Sequence, residues 1–245
     1  MKVFTLLYSR SEEDDLGNFL FFDTFRVGFP DAELFVFSNA NTNKFNKVAE
    51  KLTHQNGGEF FLINKEIEHH QFISFLIQNE NKPFYLIDPD TIWFDKMPKH
   101  FDSALAGRFI PRFYDLHANS NTFERLHTSC LYISPKEIKE VYERFDEYFN
   151  IDYLKPLIYY LDGKRYRFDT ASQLYQILKN YDLISVFDES INEKFCHLFC
   201  GSHISLVSKS YPEISETHNL AIKNVEYAKN LKKKQDLFFL SRAWI

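Results

Sequence analysis

Residues Pro83 to Met97 read P-F-Y-L-I-D-P-D-T-I-W-F-D-K-M, and the fold is decided here. Phe84 to Ile87 is short and wholly apolar, the pattern of a buried strand. It runs into Asp88-Pro89-Asp90. Two carboxylates one residue apart at the end of a buried strand can point into one cleft, and the proline between them narrows the backbone shapes available. Adjacent anions repel, and a bound cation relieves that. Hard oxygen ligands suit Mn2+ or Mg2+. The same letters also suit a polar turn, since Asp and Pro are favoured turn residues.

Upstream, Val3 to Tyr8, Glu33 to Ser38 and Glu59 to Ile63 read as strands. Helical patterns separate them. Ser11 followed by Asp14 has capping-box spacing, with Leu16, Phe19 and Leu20 behind it and an end near Gly28 and Pro30. Phe45 to Leu52 is a second helix, and Glu68 to Gln78 a third with Phe72, Phe75 and Leu76 on one face. The order β-α-β-α-β-α-β predicts an α/β fold: a Rossmann-like domain with a mostly parallel central sheet flanked by helices. One domain is expected over 1–245, in three stretches: 1–95, 96–215 and a C-terminal helix and tail (216–245).

Ligands of such sheets sit at the carboxyl ends of the strands. Tyr8-Ser9-Arg10 and Asp88-Pro89-Asp90 end strands of one parallel set and open onto the same edge. A nucleotide is expected there, with Tyr8 available to stack on a base and Arg10 or Arg108 available for phosphate. Tyr8 also fits a core aromatic, and Arg10 a solvated turn residue.

Composition narrows the classes. With 245 residues and 44% apolar content, including 27 Phe, the chain can bury a large, aromatic-rich core. Glycine is scarce, at 7, and no G-x-G-x-x-G or P-loop pattern occurs. A diphosphate, if bound, must therefore be neutralised by metal and side chains. A net charge of −5 argues against a broad basic face for duplex nucleic acid. Three cysteines, Cys130, Cys196 and Cys200, suggest a reducing compartment, and the spacing of Cys196 and Cys200 suits buried thiols rather than a zinc knuckle. No apolar run approaches the length of a membrane span, and a cytoplasmic location is expected.

In the second half, Ala104 to Ile110 reads as a strand carrying Arg108, Leu116 to Arg125 as a loop, and Leu131 to Ile133 as a short strand. Ser134, Pro135 and Glu137 open a helix with Ile138, Val141, Tyr142 and Phe145 inward. Ile151 to Arg167 reads as irregular, and Thr170 and Gln173 as the cap of another helix with Leu174, Ile177 and Leu178 inward. Asp169 stands just before that helix, where charge complementarity with a helix N-terminus also explains it. Residues 195–203 read F-C-H-L-F-C-G-S-H, placing His197 and His203 around a glycine. A final helix over 219–231 precedes Lys232-Lys233-Lys234 and the aromatics Phe238, Phe239 and Trp244. That basic tail fits an anionic or peripheral membrane contact, or a helix docked on the core.

The order of these features resembles family 8 glycosyltransferases of the GT-A fold. Asp88-Pro89-Asp90 stands where that family has its metal-binding Asp-x-Asp. His127 to Ile133 stands at its Asn-Ser-Gly turn, Phe168-Asp169-Thr170 at its Asp-Gln-Asp segment, and His197 to His203 at its His-x-x-Gly and lysine. Asn-Ser-Gly is absent here, one acid of Asp-Gln-Asp remains, and His203 takes the lysine's place. The resemblance implies a metal-dependent transfer from a nucleotide diphosphate sugar, UDP favoured, to a glycan, protein or nucleobase acceptor. It implies Asp88, Asp90 and His197 as metal ligands, His203 at the metal or phosphate, and Arg108 stabilising developing negative charge. Asp169 then holds sugar hydroxyls or serves as the base. A metal-dependent phosphoesterase or nuclease and a non-catalytic GT-A-like binding module are the other readings of the same letters.

Overall fold

The computed structural model describes residues 1–10, 12–112, 114–115, 119–144, 156–168 and 170–198. Asp169, His203, the cap at Ser11 and the expected tail helix with its lysines lie outside these residues.

The first half alternates as its letters dictate: β1 (Lys2–Leu7), α1 (Glu12–Gly28), β2 (Glu33–Asn39), α2 (Asn43–Gln55), β3 (Glu59–Ile63), α3 (His69–Asn79) and β4 (Phe84–Ile87). β5 (Thr91–Trp93) and β6 (Leu105–Ile110) follow, then β7 (Tyr114–Asp115), β8 (Ser120–Thr122), β9 (Arg125–Ile133) and α4 (Pro135–Glu143). After these come β10 (Leu157–Leu161), β11 (Lys164–Phe168), α5 (Ser172–Lys179), β12 (Ile184–Val186), α6 (Glu189–Asn192) and β13 (Phe195–His197). The seven-stranded central sheet has the order β12-β6-β9-β4-β1-β2-β3. Only β9 runs against its neighbours, β4 and β6; the other pairs are parallel. This is the mostly parallel α/β sheet the sequence predicts.

Strand alternation divides the core between the two faces. Phe4, Leu6, Phe84, Leu86, Leu131 and Ile133 pack with the apolar stripes of α3, α4 and α5. Val3, Leu7, Tyr85, Ile87, Cys130 and Tyr132 pack with α1 and α2. Asp88 is the next even position after Phe84 and Leu86, which aims it towards the α3 side.

The excursion after β4 is anchored by Trp93. Its buried indole meets Phe29 edge-on at 4.9 Å and Phe195 at 5.3 Å. Its backbone N–H donates to Thr24 Oγ1 at 3.1 Å, and Met97 N–H donates to Gly28 O at 3.0 Å. Gly28 is where the ring lies on the helix: a Cβ there would sit 2.7 Å from Trp93 Cδ2.

Four expectations are corrected. β9 spans Arg125–Ile133, well beyond Leu131 to Ile133. In its first half Arg125 and Leu126 pair with β6, so backbone pairing rather than hydropathy makes it a strand. Leu116 to Arg125 is not all loop, since Ser120–Thr122 pairs with both β7 and β11. Ile151 to Arg167 is not irregular throughout: β10 and β11 form an antiparallel hairpin. It turns on Asp162-Gly163, both at positive φ (50° and 71°), the Asp-Gly signal of a tight hairpin. The cap of α5 is Ala171 at φ 61° rather than Thr170.

Gly28→Ala should lose about 1–3 kcal/mol in urea unfolding, because overpacking against Trp93 outweighs the roughly 1 kcal/mol helix preference for Ala. Equal or higher stability in that variant contradicts the anchoring of β5 on α1.

Candidate metal centre

The turn after β4 is fixed by backbone bonds. Asp88 N–H donates to Ser129 O at 3.0 Å, and Thr91 N–H closes onto Asp88 O at 3.2 Å. Thr91 Oγ1 also donates to Ser129 O, at 3.2 Å. β9 therefore holds both ends of the Asp-Pro-Asp turn through a single carbonyl.

β13 then brings a distant histidine alongside. It pairs antiparallel with β5, with His197 opposite Thr91. Leu198 N–H donates to Asp90 O at 2.8 Å. The result places His197 Nε2 2.9 Å from Asp90 Oδ1 and 3.8 Å from Asp88 Oδ2. One ligand atom from each of Asp88, Asp90 and His197 lies within 4.8 Å of the others. Asp90 and His197 are buried, while Asp88 keeps 20% of its side chain exposed and so opens the cluster outward.

Two more histidines border the cluster. His69, the first residue of α3, places Nε2 3.6 Å from Asp88 Oδ1. His127 lies edge-on to His197, ring centroids 4.9 Å apart. Its Nδ1 accepts from Ser129 N–H at 3.0 Å, so in the neutral ring the proton is on Nε2. His69 escaped the sequence reading. Its only signal was position: the first turn of a helix that follows a parallel strand points at the ligand edge.

The electrostatics follow from this crowding. Burial raises the Asp88 carboxyl above the usual carboxylate range, and Asp90 adds to the rise while His69 and His197 oppose it. Burial disfavours a charged His197, but the Asp90 carboxylate outweighs it, with help from Asp88, so this imidazole keeps its proton above the ordinary value. His127 is pushed well below its ordinary value by burial, with His197, Arg125 and Arg108 adding repulsion. The cluster thus retains protons where it is short of positive charge. Two carboxylates and an imidazole fit Mn2+ or Mg2+ as a donor set, carboxylate suiting both ions.

The other predicted residues are distributed along the same sheet edge. Arg10 stands 5.9 Å from the ring centroid of Tyr8. The Tyr8 hydroxyl faces Ile67 O at 3.4 Å, and its pKa is pushed up to about 12, chiefly by burial. Ser9 Oγ donates to Asp15 at 2.7 Å. Arg10 is exposed at the bend after β1, as a solvated turn residue would be, yet its guanidinium is engaged: it donates to Asn41 Oδ1 and Asn39 O and pairs with Glu66 at 3.3 Å. Arg108 is half-buried over the Phe195 ring, 4.8 Å from its centroid, and donates to Asn192 Oδ1 at 3.2 Å. It is thus engaged by neighbouring side chains. Sequence reasoning also missed the amides that build this edge. Asn18 Nδ2 donates to Tyr8 O, Asn41 Nδ2 to Leu7 O, and Asn39 exchanges two bonds with Ile67.

Solved structures similar to this chain are glycosyltransferases. The mannosyltransferase PcManGT from Pyrobaculum calidifontis, in complex with GDP-Man and Mn2+, is 11% identical over 76% of this chain and 56% of its own, with TM-score 0.40. The bifunctional glycosyltransferase WbbM is 9% identical over 92% of this chain and 44% of its own, with TM-score 0.48. The galactosyltransferase LgtC, in complex with donor and acceptor sugar analogs, is 11% identical over 94% of this chain and 96% of its own, with TM-score 0.44. The chain spans about half the length of the structures first matched. No family model and no curated protein matches it. Among the described residues no helix is long and apolar enough to cross a membrane.

A pH dependence follows for the metal-free protein. His197 and Asp88 both hold protons more tightly folded than unfolded. Stability from His197 is complete below the ordinary histidine value and is lost as pH rises through the raised one; the Asp88 shift acts in the same sense from the ordinary carboxylate value upward. In metal-free buffer the melting temperature should fall as pH rises through the range above about 6.5, and His197→Gln should flatten that fall. Mn2+ should restore stability increasingly with pH, because the ion takes the deprotonated ligands. A melting temperature that rises over this range in chelator refutes the assignment.

Proposed function

We propose that this chain is a metal-dependent glycosyltransferase that moves a sugar from a nucleotide diphosphate sugar to a glycan, protein or nucleobase acceptor in the cytoplasm. The observation that carries the reading is the convergence of Asp88, Asp90 and His197 within 4.8 Å at the carboxyl edge of a parallel sheet, where nucleotides bind in such folds. UDP is favoured from the family 8 motif order alone.

Asp88, Asp90 and His197 would hold Mn2+ or Mg2+, with His203 the substitute for His197. Bound there, the ion supplies Lewis-acid charge to the leaving diphosphate. The rest of the work falls to side chains. The ring of Tyr8, backed by Arg10, offers an aromatic surface for the base, and Ser9 lines the approach. His127, kept neutral by burial, presents no competing cation beside the ligands. Arg108, buried near His197, contributes fixed positive charge behind the site where negative charge develops. Asp169 holds the donor sugar's hydroxyls or takes the acceptor's proton. The basic tail at Lys232-Lys233-Lys234 offers an anionic contact for the acceptor or a membrane surface.

Calorimetry with UDP, GDP and CDP, each with and without Mn2+, tests the donor side. Metal-dependent nucleotide affinity is expected, followed by sugar-nucleotide turnover. Losing an outer-shell partner of a metal ligand costs about 10–100-fold, so Asp88→Asn or Asp90→Asn should cost roughly a hundredfold or more in turnover. Unchanged turnover in both variants removes the metal claim. Phosphodiester hydrolysis without sugar transfer assigns the site to a phosphoesterase, and absence of both metal and nucleotide affinity to a binding module.

A further inference from the structure

The outer edge of the central sheet carries a feature unrelated to the metal cluster. β3 ends the seven-strand order, with β2 on one side and no strand on the other among the described residues. Its letters are E-F-F-L-I, followed by Asn64 and Lys65. Phe61 is 38% exposed and Leu62 is 59% exposed, although both belong to a run of four apolar residues. Open edges are normally blunted by proline, by charges within the strand or by bulges. Phe60 to Ile63 has no proline and no charge, and its pairing with β2 is regular throughout.

The backbone orientation of this edge follows from one bond. Ala40 N–H donates to Ile63 O at 2.9 Å, so Ile63 faces the β2 side. Backbone groups alternate along a strand, so Glu59 and Phe61 share that direction, while Phe60 and Leu62 offer their N–H and C=O groups outward. The charges are self-complementary as well. Glu59 and Lys65 lie three residues either side of Leu62. Both are exposed, and neither has an ion-pair partner among the described residues.

We propose that β3 pairs antiparallel with β3 of a second copy of this chain, about a two-fold axis through Leu62. In that register Leu62 meets Leu62 of the partner subunit as a hydrogen-bonded pair. Phe61 lies opposite Ile63 of the partner subunit, and Glu59, the first residue of β3, comes near Lys65 of the partner subunit in the bend just past the strand, each twice by symmetry. The two central sheets become one, and the exposed faces of Phe61 and Leu62 are covered. A register centred on Phe61 instead sets Glu59 against Ile63 and leaves Lys65 without a partner.

Sedimentation equilibrium of the full chain, with charge reversal, tests this. Wild type should show a concentration-dependent dimer. Leu62→Lys, at an exposed position, should be monomeric with an unchanged circular dichroism spectrum. Glu59→Lys and Lys65→Glu should each weaken association about tenfold, and the double variant should recover it, because reversal restores both pairs only between two copies. A wild-type monomer at every concentration, a dimer that survives Leu62→Lys, or a double variant no tighter than the single ones overturns the proposal. None of these results depends on metal or nucleotide binding.

Discussion

The repulsion between the Asp88 and Asp90 carboxylates is the constraint on which the site depends. At separations near 4 Å, two like charges repel by about 4 kcal/mol at an effective dielectric of about 20, a large share of the stability of a typical domain. A chain that keeps both acids on one turn at the end of a buried strand needs something to neutralise them. Here it is done by position. The His197 imidazole stands 2.9 Å from Asp90 and the His69 imidazole 3.6 Å from Asp88. A proton held by His197 and a divalent ion are alternative answers to the same excess of negative charge, so protonation and metal affinity are coupled there.

The scaffold keeps that excess in place. β4 is flanked by parallel β1 and antiparallel β9, and the reversal of β9 brings its polar first half to the edge where β4 ends. Ser129 then supplies one carbonyl that accepts from both Asp88 N–H and Thr91 Oγ1. The β5–β13 ladder carries His197 to its partner acids. Beneath the ladder, the Trp93 ring lies between Phe29, Phe195 and the bare Cα of Gly28. Misplacing that ring would move Asp90 and His197 together, since both are tied to β5.

The sheet and its acidic edge were legible because local letters specify them. The apolar runs of β1, β2, β3 and β4 alternate with helical stripes, and Asp88-Pro89-Asp90 follows β4 without interruption. His197 was legible from a nearby glycine and from motif order; its place next to Asp90 follows from a strand pairing with no local signature. His69 and the Asn18, Asn39 and Asn41 amides were missed for the same reason, since their roles arise where separate strand ends meet. The first half of β9 is not legible because Arg125, His127, Thr128 and Ser129 look like loop, yet β6 pairs with both of its halves. The β10–β11 hairpin is a different kind of miss: Asp162-Gly163 was a usable turn signal, masked by the aromatic and basic letters around it.

Charge accounting along the edge bears on how a diphosphate would be held. The sequence has no G-x-G-x-x-G or P-loop pattern, and among the described residues Arg10 and Arg108 at this edge are already engaged. Arg10 bonds Asn39 and Asn41 and pairs with Glu66. Arg108 is stacked on Phe195 and bonded to Asn192, and its burial works against the charged form. The amides lining the ends of β1 and β2 are neutral and are spent on backbone groups. Moving either arginine to a phosphate would break contacts that shape the same edge. The acidic cluster beside them concentrates negative charge instead of opposing it, which is useful for a dianionic ligand only when a cation lies between. For the pyrophosphate of the proposed donor, this arrangement of fixed charges would call for a metal as the bridge to the sheet edge, with the arginines as supporting charge.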